Sequence, residues 1–156
     1  MEQIQRTIEV EAPLSTVYNQ WTQFEEFPRF MAGVQEVRQL DDKRLHWVAK
    51  IAGVTREWDA EIVRQEPDTM ISWRGFGDAD QLGTVMFQRL DATRTRVTLD
   101  LEIVPNDAAT KIADAIGLVE ARVDGDLARF KDFIESRGVE TGGWRGTVDE
   151  ARRAAS

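Results

Sequence analysis

At 156 residues, with a net charge of −8 and no cysteine, the chain has the size of one domain and cannot carry a disulfide, a thiolate metal site or a cysteine nucleophile. A hydrophobic share of 42% beside a charged share of 31% is that of an ordinary soluble globular protein, and no run is apolar enough for a membrane span. The negative field repels phosphate backbones and anionic lipid surfaces, which sets aside nucleic acid as a partner and stable membrane insertion. The N-terminus, MEQIQRTIEVEAP, lacks the basic start and apolar stretch of a signal peptide, so the expected location is cytoplasmic.

Residues 3–10 place Ile4, Ile8 and Val10 at even positions, the pattern of a half-buried strand interrupted at Arg6. Pro13 suits a helix start, and Val17, Tyr18 and Trp21 follow at helical spacing. The stretch QWTQFEEFPRFM then carries an aromatic at every third position, Trp21, Phe24, Phe27 and Phe30. Pro28 cannot continue a regular helix, so two short helical turns are expected there. Trp21 and Phe24 continue the first apolar stripe as core, whereas Phe27, Phe30 and Met31 flank the break.

From residue 34 to 104 the period changes to two. Val34, Val37 and Leu40 lead to a turn at Asp41-Asp42, and Leu45, Trp47, Ala49 and Ile51 alternate with His46, Val48 and Lys50. Trp58, Ala60 and Ile62 repeat the pattern, as do Ile71 and Trp73, then the strands Leu82–Leu90 and Arg96–Val104. This spacing predicts an antiparallel meander with one wet and one apolar face. GFGDADQLG, residues 75–83, reads as a loop with Phe76 at its tip, either an ordinary hairpin loop or a lip over a pocket.

Pro105-Asn106-Asp107 signals a helix start, and Ile112, Ile116, Val119, Val123, Leu127, Phe130 and Ile134 follow at steps of three and four until Gly138. Such a helix spans about 40 Å and needs the apolar face of the meander as its partner. Residues 1–138 are therefore expected to form a single domain. The glycine-rich remainder, 139–156, has little periodicity and is expected to be mobile or loosely docked.

Strand, short helices, six-strand meander and long C-terminal helix, in that order, resemble the helix-grip fold of START lipid-transfer domains, plant pollen-allergen-like proteins and bacterial polyketide cyclases. Over residues 1–146 the segments WTQFEEFPRFM, LHWVAKIAGVTREWDAEIV, RTRVTLDLEIVP and GDLARFKDFIESRGVETGGWRG are similar to the polyketide cyclase/dehydrase and lipid-transport branch of the SRPBCC superfamily, which includes coenzyme Q binding proteins. The resemblance implies an α+β fold in which a curved seven-stranded antiparallel sheet wraps around the long helix, with two short helices between strands 1 and 2. It also implies an apolar cavity between helix and sheet for lipids, polyketides or other hydrophobic molecules. Some members catalyse cyclisation or dehydration, and many only bind.

On that frame Trp47, Trp58 and Trp73 share the concave face with Phe87 and Leu101, either as a filled core or as a pocket whose indole N–H groups meet a ligand or water. The helix-grip arrangement also implies that Phe27, Phe30 and Met31 form a pocket rim where the cavity opens, and Phe76, Ile112, Ile116 and Val119 complete the candidate lining. Tyr18, Arg74 and Thr84 are the polar groups within reach. Tyr18 and Arg74 are the candidates for moving a proton, although no residue-by-residue match to a cyclase constellation exists. His46, the only histidine, falls in the outward register. Asp41-Asp42 and Asp78–Asp80 lack the spacing of calcium loops and read as turns. No metal or cofactor is called for. The expected role is binding or carriage of a hydrophobic small molecule. The alternatives are a polyketide cyclase/dehydratase acting in the same cavity and a protein-interaction module using Phe27, Phe30 and Trp144. Oligomeric state is not encoded visibly.

Overall fold

A computed structural model describes residues 2–31, 33–51, 54–76, 79–105 and 109–149, and within them leaves undescribed the side chains of 2, 51, 54, 56, 76, 79–81, 103–105, 109–121 and 149. The period-two stretches form β1 (Glu2–Val10), β2 (Val34–Gln39), β3 (Arg44–Ile51), β4 (Val54–Glu66), β5 (Met70–Phe76), β6 (Ala79–Asp91) and β7 (Arg94–Pro105). They pair antiparallel in the order β1-β7-β6-β5-β4-β3-β2, so the meander is extended by β1 at its far edge. Helix α1 (Leu14–Trp21) and a 3-10 helix (Phe24–Arg29) separate β1 from β2, and helix α2 (Ala109–Arg137) follows β7. The curved sheet gripping a long C-terminal helix is the α+β architecture that the element order implies.

Several local departures from the simple pattern have physical causes. The expected loop at GFGDADQLG is mostly strand: β5 runs to Phe76, β6 starts at Ala79, and Gly75 pairs with Gln81 and Arg74 with Leu82. Glycines there read as loop by composition, but pairing with both neighbouring strands overrides propensity. Arg6, which interrupts the apolar alternation of β1, faces inward opposite Leu99, and its Nε donates to Asp124 Oδ1 of α2 at 2.8 Å. The interruption is thus an anchor between sheet and helix. Gly138 ends α2 with φ +74 and donates its N–H to Ile134 O at 2.9 Å, the left-handed cap that glycine adopts without penalty.

The aromatic stripe needs the largest correction. Phe27 and Phe30 are buried, 3% and 2% exposed, instead of rimming an opening. The 3-10 helix has about three residues per turn, so Phe24 and Phe27 share one side of it, and Phe30, just past its end, continues the line of ring contacts. That line packs edge to face inside the molecule: Trp21 on Phe130 at 4.8 Å, Phe27 on Phe30 at 5.6 Å and Phe30 on Phe130 at 5.2 Å between ring centres. Met31 is half-buried beside them. Val123, Leu127, Phe130 and Ile134, all buried, form the α2 stripe above this cluster.

Residues 141–149 are held to the domain by individual bonds. Buried Gln20 donates through Nε2 to Thr141 Oγ1 and accepts from Thr141 N, at 3.1 and 2.8 Å. Trp144 N donates to Thr22 Oγ1, and Arg145 pairs with Asp68 Oδ2 at 2.7 Å while lying over the Tyr18 ring. A two-residue strand, β8 (Val148–Asp149), then pairs with β4 at Arg64 and Gln65. β3 pairs with β4 only as far as Glu61, and β5 holds the other edge of Arg64 and Gln65. β8 therefore covers the length of β4 edge that β3 leaves open, which removes an exposed edge.

Candidate ligand-binding face

Strand alternation determines which side chains meet. Residues directly opposite in an antiparallel pair share a face, and the register sets Val37 opposite Trp47, Trp47 opposite Trp58, Ile62 opposite Trp73, Trp73 opposite Gly83, Gly83 opposite Leu101 and Leu101 opposite Ile4. All of these lie on the concave side beneath α2, with buried Val37, Ile62 and Ile4 fixing the direction. The sequence thus lays a row of indoles across neighbouring strands.

The indoles do not interlock as the Phe30 cluster does. Trp47 and Trp58 stack in parallel, 5.8 Å apart with 7° between planes, and Phe27 tilts onto Trp47 at 5.6 Å. Trp73 lies against Gly83, so close that a Cβ at that position would come within 2.2 Å of the ring. A glycine within a strand signals such close approach, a cue that the sequence reading did not use. Trp47, Trp58, Trp73 and Leu101 are all half-buried, and Trp47 Nε1 is buried without a hydrogen-bond partner. Buried indole N–H groups ordinarily find a partner.

Of the other candidates, Phe87 is 6% exposed and meets Tyr18 and Trp21 edge to face, so it belongs to the core. Tyr18 is fully buried, accepts a hydrogen bond from Gln65 Nε2 at 3.1 Å and is covered by Arg145. Burial raises its pKa despite the opposing Gln65 bond, so the phenol stays protonated at neutral pH. Arg74 is exposed on the outer face opposite Glu61 and Leu82, and Thr84 shares that face in a 2.9 Å hydrogen bond with Ser72. Arg74 therefore does not reach the indoles: the alternation that turns Trp73 inward turns its neighbour outward. The side chains of Phe76, Ile112, Ile116 and Val119 lie outside the described residues.

The outer face carries most of the charge. His46 Nδ1 is 2.7 Å from Asp59 Oδ1 and Nε2 is 3.2 Å from Glu57 Oε1, and these contacts, Asp59 foremost, raise the histidine pKa. Asp41 accepts from Lys43 N, Arg44 N and Arg44 Nε, which holds its carboxyl down at about 2 and closes the β2–β3 turn. A polar depression at that turn, lined by Asp41, Asp42, Lys43, Arg44 and Glu61, lies apart from the concave face. Among the described residues no three of His, Asp and Glu gather as metal ligands, and no helix is long and apolar enough to cross a membrane.

A further polar residue joins the helix to the strand that carries Trp47. Arg122 of α2 is half-buried, lies against Gly33, and donates from Nη1 to Lys50 O at 3.0 Å. It bridges the helix to the end of β3, three residues beyond Trp47. In the sequence it is simply the polar neighbour of Val123, and nothing in its spacing distinguishes it.

A helix held in a curved antiparallel sheet, with a half-buried aromatic row between them, defines a helix-grip protein with a hydrophobic concave face. The chain belongs to the polyketide cyclase/dehydrase and lipid transport family, whose model matches residues 10–132. A protein of Streptomyces lincolnensis described as an uncharacterized 17.2 kDa protein is 48% identical over 149 residues, covering 95% of this chain and 99% of its own length. The Zhui aromatase/cyclase of Streptomyces sp. R1128 shares the fold with a TM-score of 0.75 at 19% identity, covering 92% of this chain and 99% of that one. A START superfamily protein of Mycobacterium smegmatis does so with a TM-score of 0.72 at 15% identity, over 86% and 98% of the two chains. At these identities the likeness of the two structures concerns fold.

Proposed function

We propose that this protein binds or carries a hydrophobic small molecule, a lipid, polyketide or quinone-like compound, between α2 and the concave face of the sheet. The observation that carries this reading is the row of half-buried indoles, Trp47 and Trp58 stacked and Trp73 laid on Gly83. A flat apolar surface with residual exposure suits a planar or extended apolar ligand, which would bury area worth about 25 cal/mol per Å². Family membership supports a hydrophobic-ligand or cyclase role. Tyr18 sits under the C-terminal segment and Arg74 on the outer face, so neither supports a cyclase mechanism at the indoles, and binding is the stronger reading.

The test is titration with 1-pyrenebutanol, an uncharged apolar fluorophore, following tryptophan quenching and energy transfer to pyrene. The expected outcome is saturable quenching that is weakened in Trp58→Ala, with a 1:1 complex in native mass spectrometry. Absence of both the quenching and the complex in the wild type would overturn the reading.

A further inference from the structure

Among the described residues most other arginines are matched to carboxylates, as Arg6 is to Asp124 and Arg145 to Asp68. Arg122 is different. It is half-buried at the junction of α2, Gly33 and β3, and its hydrogen bond, to Lys50 O, uses one of the five N–H donors of a guanidinium. Among the described residues no carboxylate pairs with it.

Its seat is specific. Gly33 has φ +89, and a Cβ there would come within 2.4 Å of Arg122 Nη1 and 3.0 Å of Lys50 O. The turn into β2 therefore accepts a guanidinium pressed against its backbone because this residue has no side chain. The neighbouring α2 residues fix the geometry: Val123 points down into the core, Asp124 reaches Arg6 on the β1 side, and Arg122 reaches the β3 side. β3 is the strand of Trp47, so the cation stands where the helix meets the end of that strand, three residues along from the stacked pair.

A permanently charged, partly desolvated group with unused donors, anchored on the strand that carries an apolar aromatic surface, is suited to a planar anion attached to an apolar body. We propose that Arg122 recognises the carboxylate of an amphipathic ligand whose apolar portion lies on the tryptophan row. This inference rests on the binding reading above and narrows its ligand class to hydrophobic carboxylic acids. The guanidinium would keep its bond to Lys50 O and offer the remaining N–H groups to the two carboxylate oxygens.

The test compares 1-pyrenebutyrate with 1-pyrenebutanol, which share the same apolar body and differ in charge. The wild type is expected to bind the acid about tenfold more tightly than the alcohol, the scale of a hydrogen bond to a charged group. Arg122→Gln retains a donor for Lys50 O and removes the charge. It should abolish the preference for the acid while changing affinity for the alcohol less than twofold, with unchanged thermal stability as the folding control. Raising the salt concentration should weaken the acid alone. Equal wild-type affinities for acid and alcohol would overturn the inference and leave the binding reading standing. Parallel loss of both probes in Arg122→Gln would also overturn it, making the arginine a bridge between helix and strand. Failure of both probes to bind the wild type would remove the binding reading and this inference together.

Discussion

The two aromatic regions use the same residue types to opposite ends. Around Phe130, rings from α1, the 3-10 helix and α2 meet edge to face and are almost wholly buried. Along Trp47, Trp58 and Trp73, rings from neighbouring strands lie parallel to one another or against a glycine, and each keeps some exposure. Three helical elements approach from different directions and can interlock, as dense cores require. Neighbouring strands present side chains in parallel, so a sheet offers a surface that is complete only when something else covers it. The difference therefore lies in the backbone that delivers the rings, and it separates stabilising packing from an available face.

The comparison is broken most directly by truncating one ring from each region. Phe130→Ala removes a side chain touching both Trp21 and Phe30 and should cost about 3–5 kcal/mol of unfolding free energy. Trp58→Ala removes a half-buried ring with one stacked neighbour and should cost about 1–2 kcal/mol. Urea denaturation of the two variants measures both. Equal losses would mean that the tryptophan row is ordinary core, and the separation drawn above would fail.

Gly83→Ala sharpens the same point with a smaller perturbation. The added methyl would meet Trp73 Cε2 and Cζ2 at 2.2 Å, so the indole must leave its place against β6. The expected cost is about 1–3 kcal/mol, with a shifted tryptophan emission and weaker pyrenebutanol binding. Emission and binding identical to wild type would show that Trp73 is free to move and does not define the face.

Much of this division was legible in the sequence, and the parts that were not have identifiable causes. Alternation placed Trp47, Trp58 and Trp73 on a single side, because strand period is geometrically fixed. The same rule already turned Arg74 away, so its candidacy conflicted with the register of its own strand. The burial of Phe27 and Phe30 is not legible from Pro28, which signals a break between two turns, because a 3-10 helix accommodates the proline and keeps Phe24 and Phe27 in contact. The segment after Gly138 has no periodicity to read, since it is held by individual bonds such as those of Gln20 to Thr141, whose partners are 121 residues apart. Arg122 was invisible for a related reason: its role depends on a carbonyl and a glycine that only the fold brings to it.

The smallest effect is expected behind the tryptophan row. His46 and Asp59 are direct partners on the outer face of the same β3–β4 pair whose next step inward is Trp47 and Trp58. Hydrogen bonds to Asp59 and then Glu57 raise the His46 pKa above its ordinary value. A raised folded-state pKa means that the protonated imidazole stabilises the fold fully below the unfolded value near 6.5, and that this contribution disappears as pH rises through the folded value. With partners this exposed the stabilisation is small. NMR titration of this single histidine should give a midpoint above 6.5, and Asp59→Asn should lower it while Glu57 retains part of the shift. An unchanged midpoint in that variant would show that Asp59 does not hold the imidazole. Tryptophan emission should stay flat through the wild-type titration, because the outer clip and the inner stack are carried on opposite faces of strands already paired by their backbones. A change in emission tracking the histidine midpoint would mean that the row is coupled to surface charge, and that its openness depends on the outer face as well as on the strands beneath it.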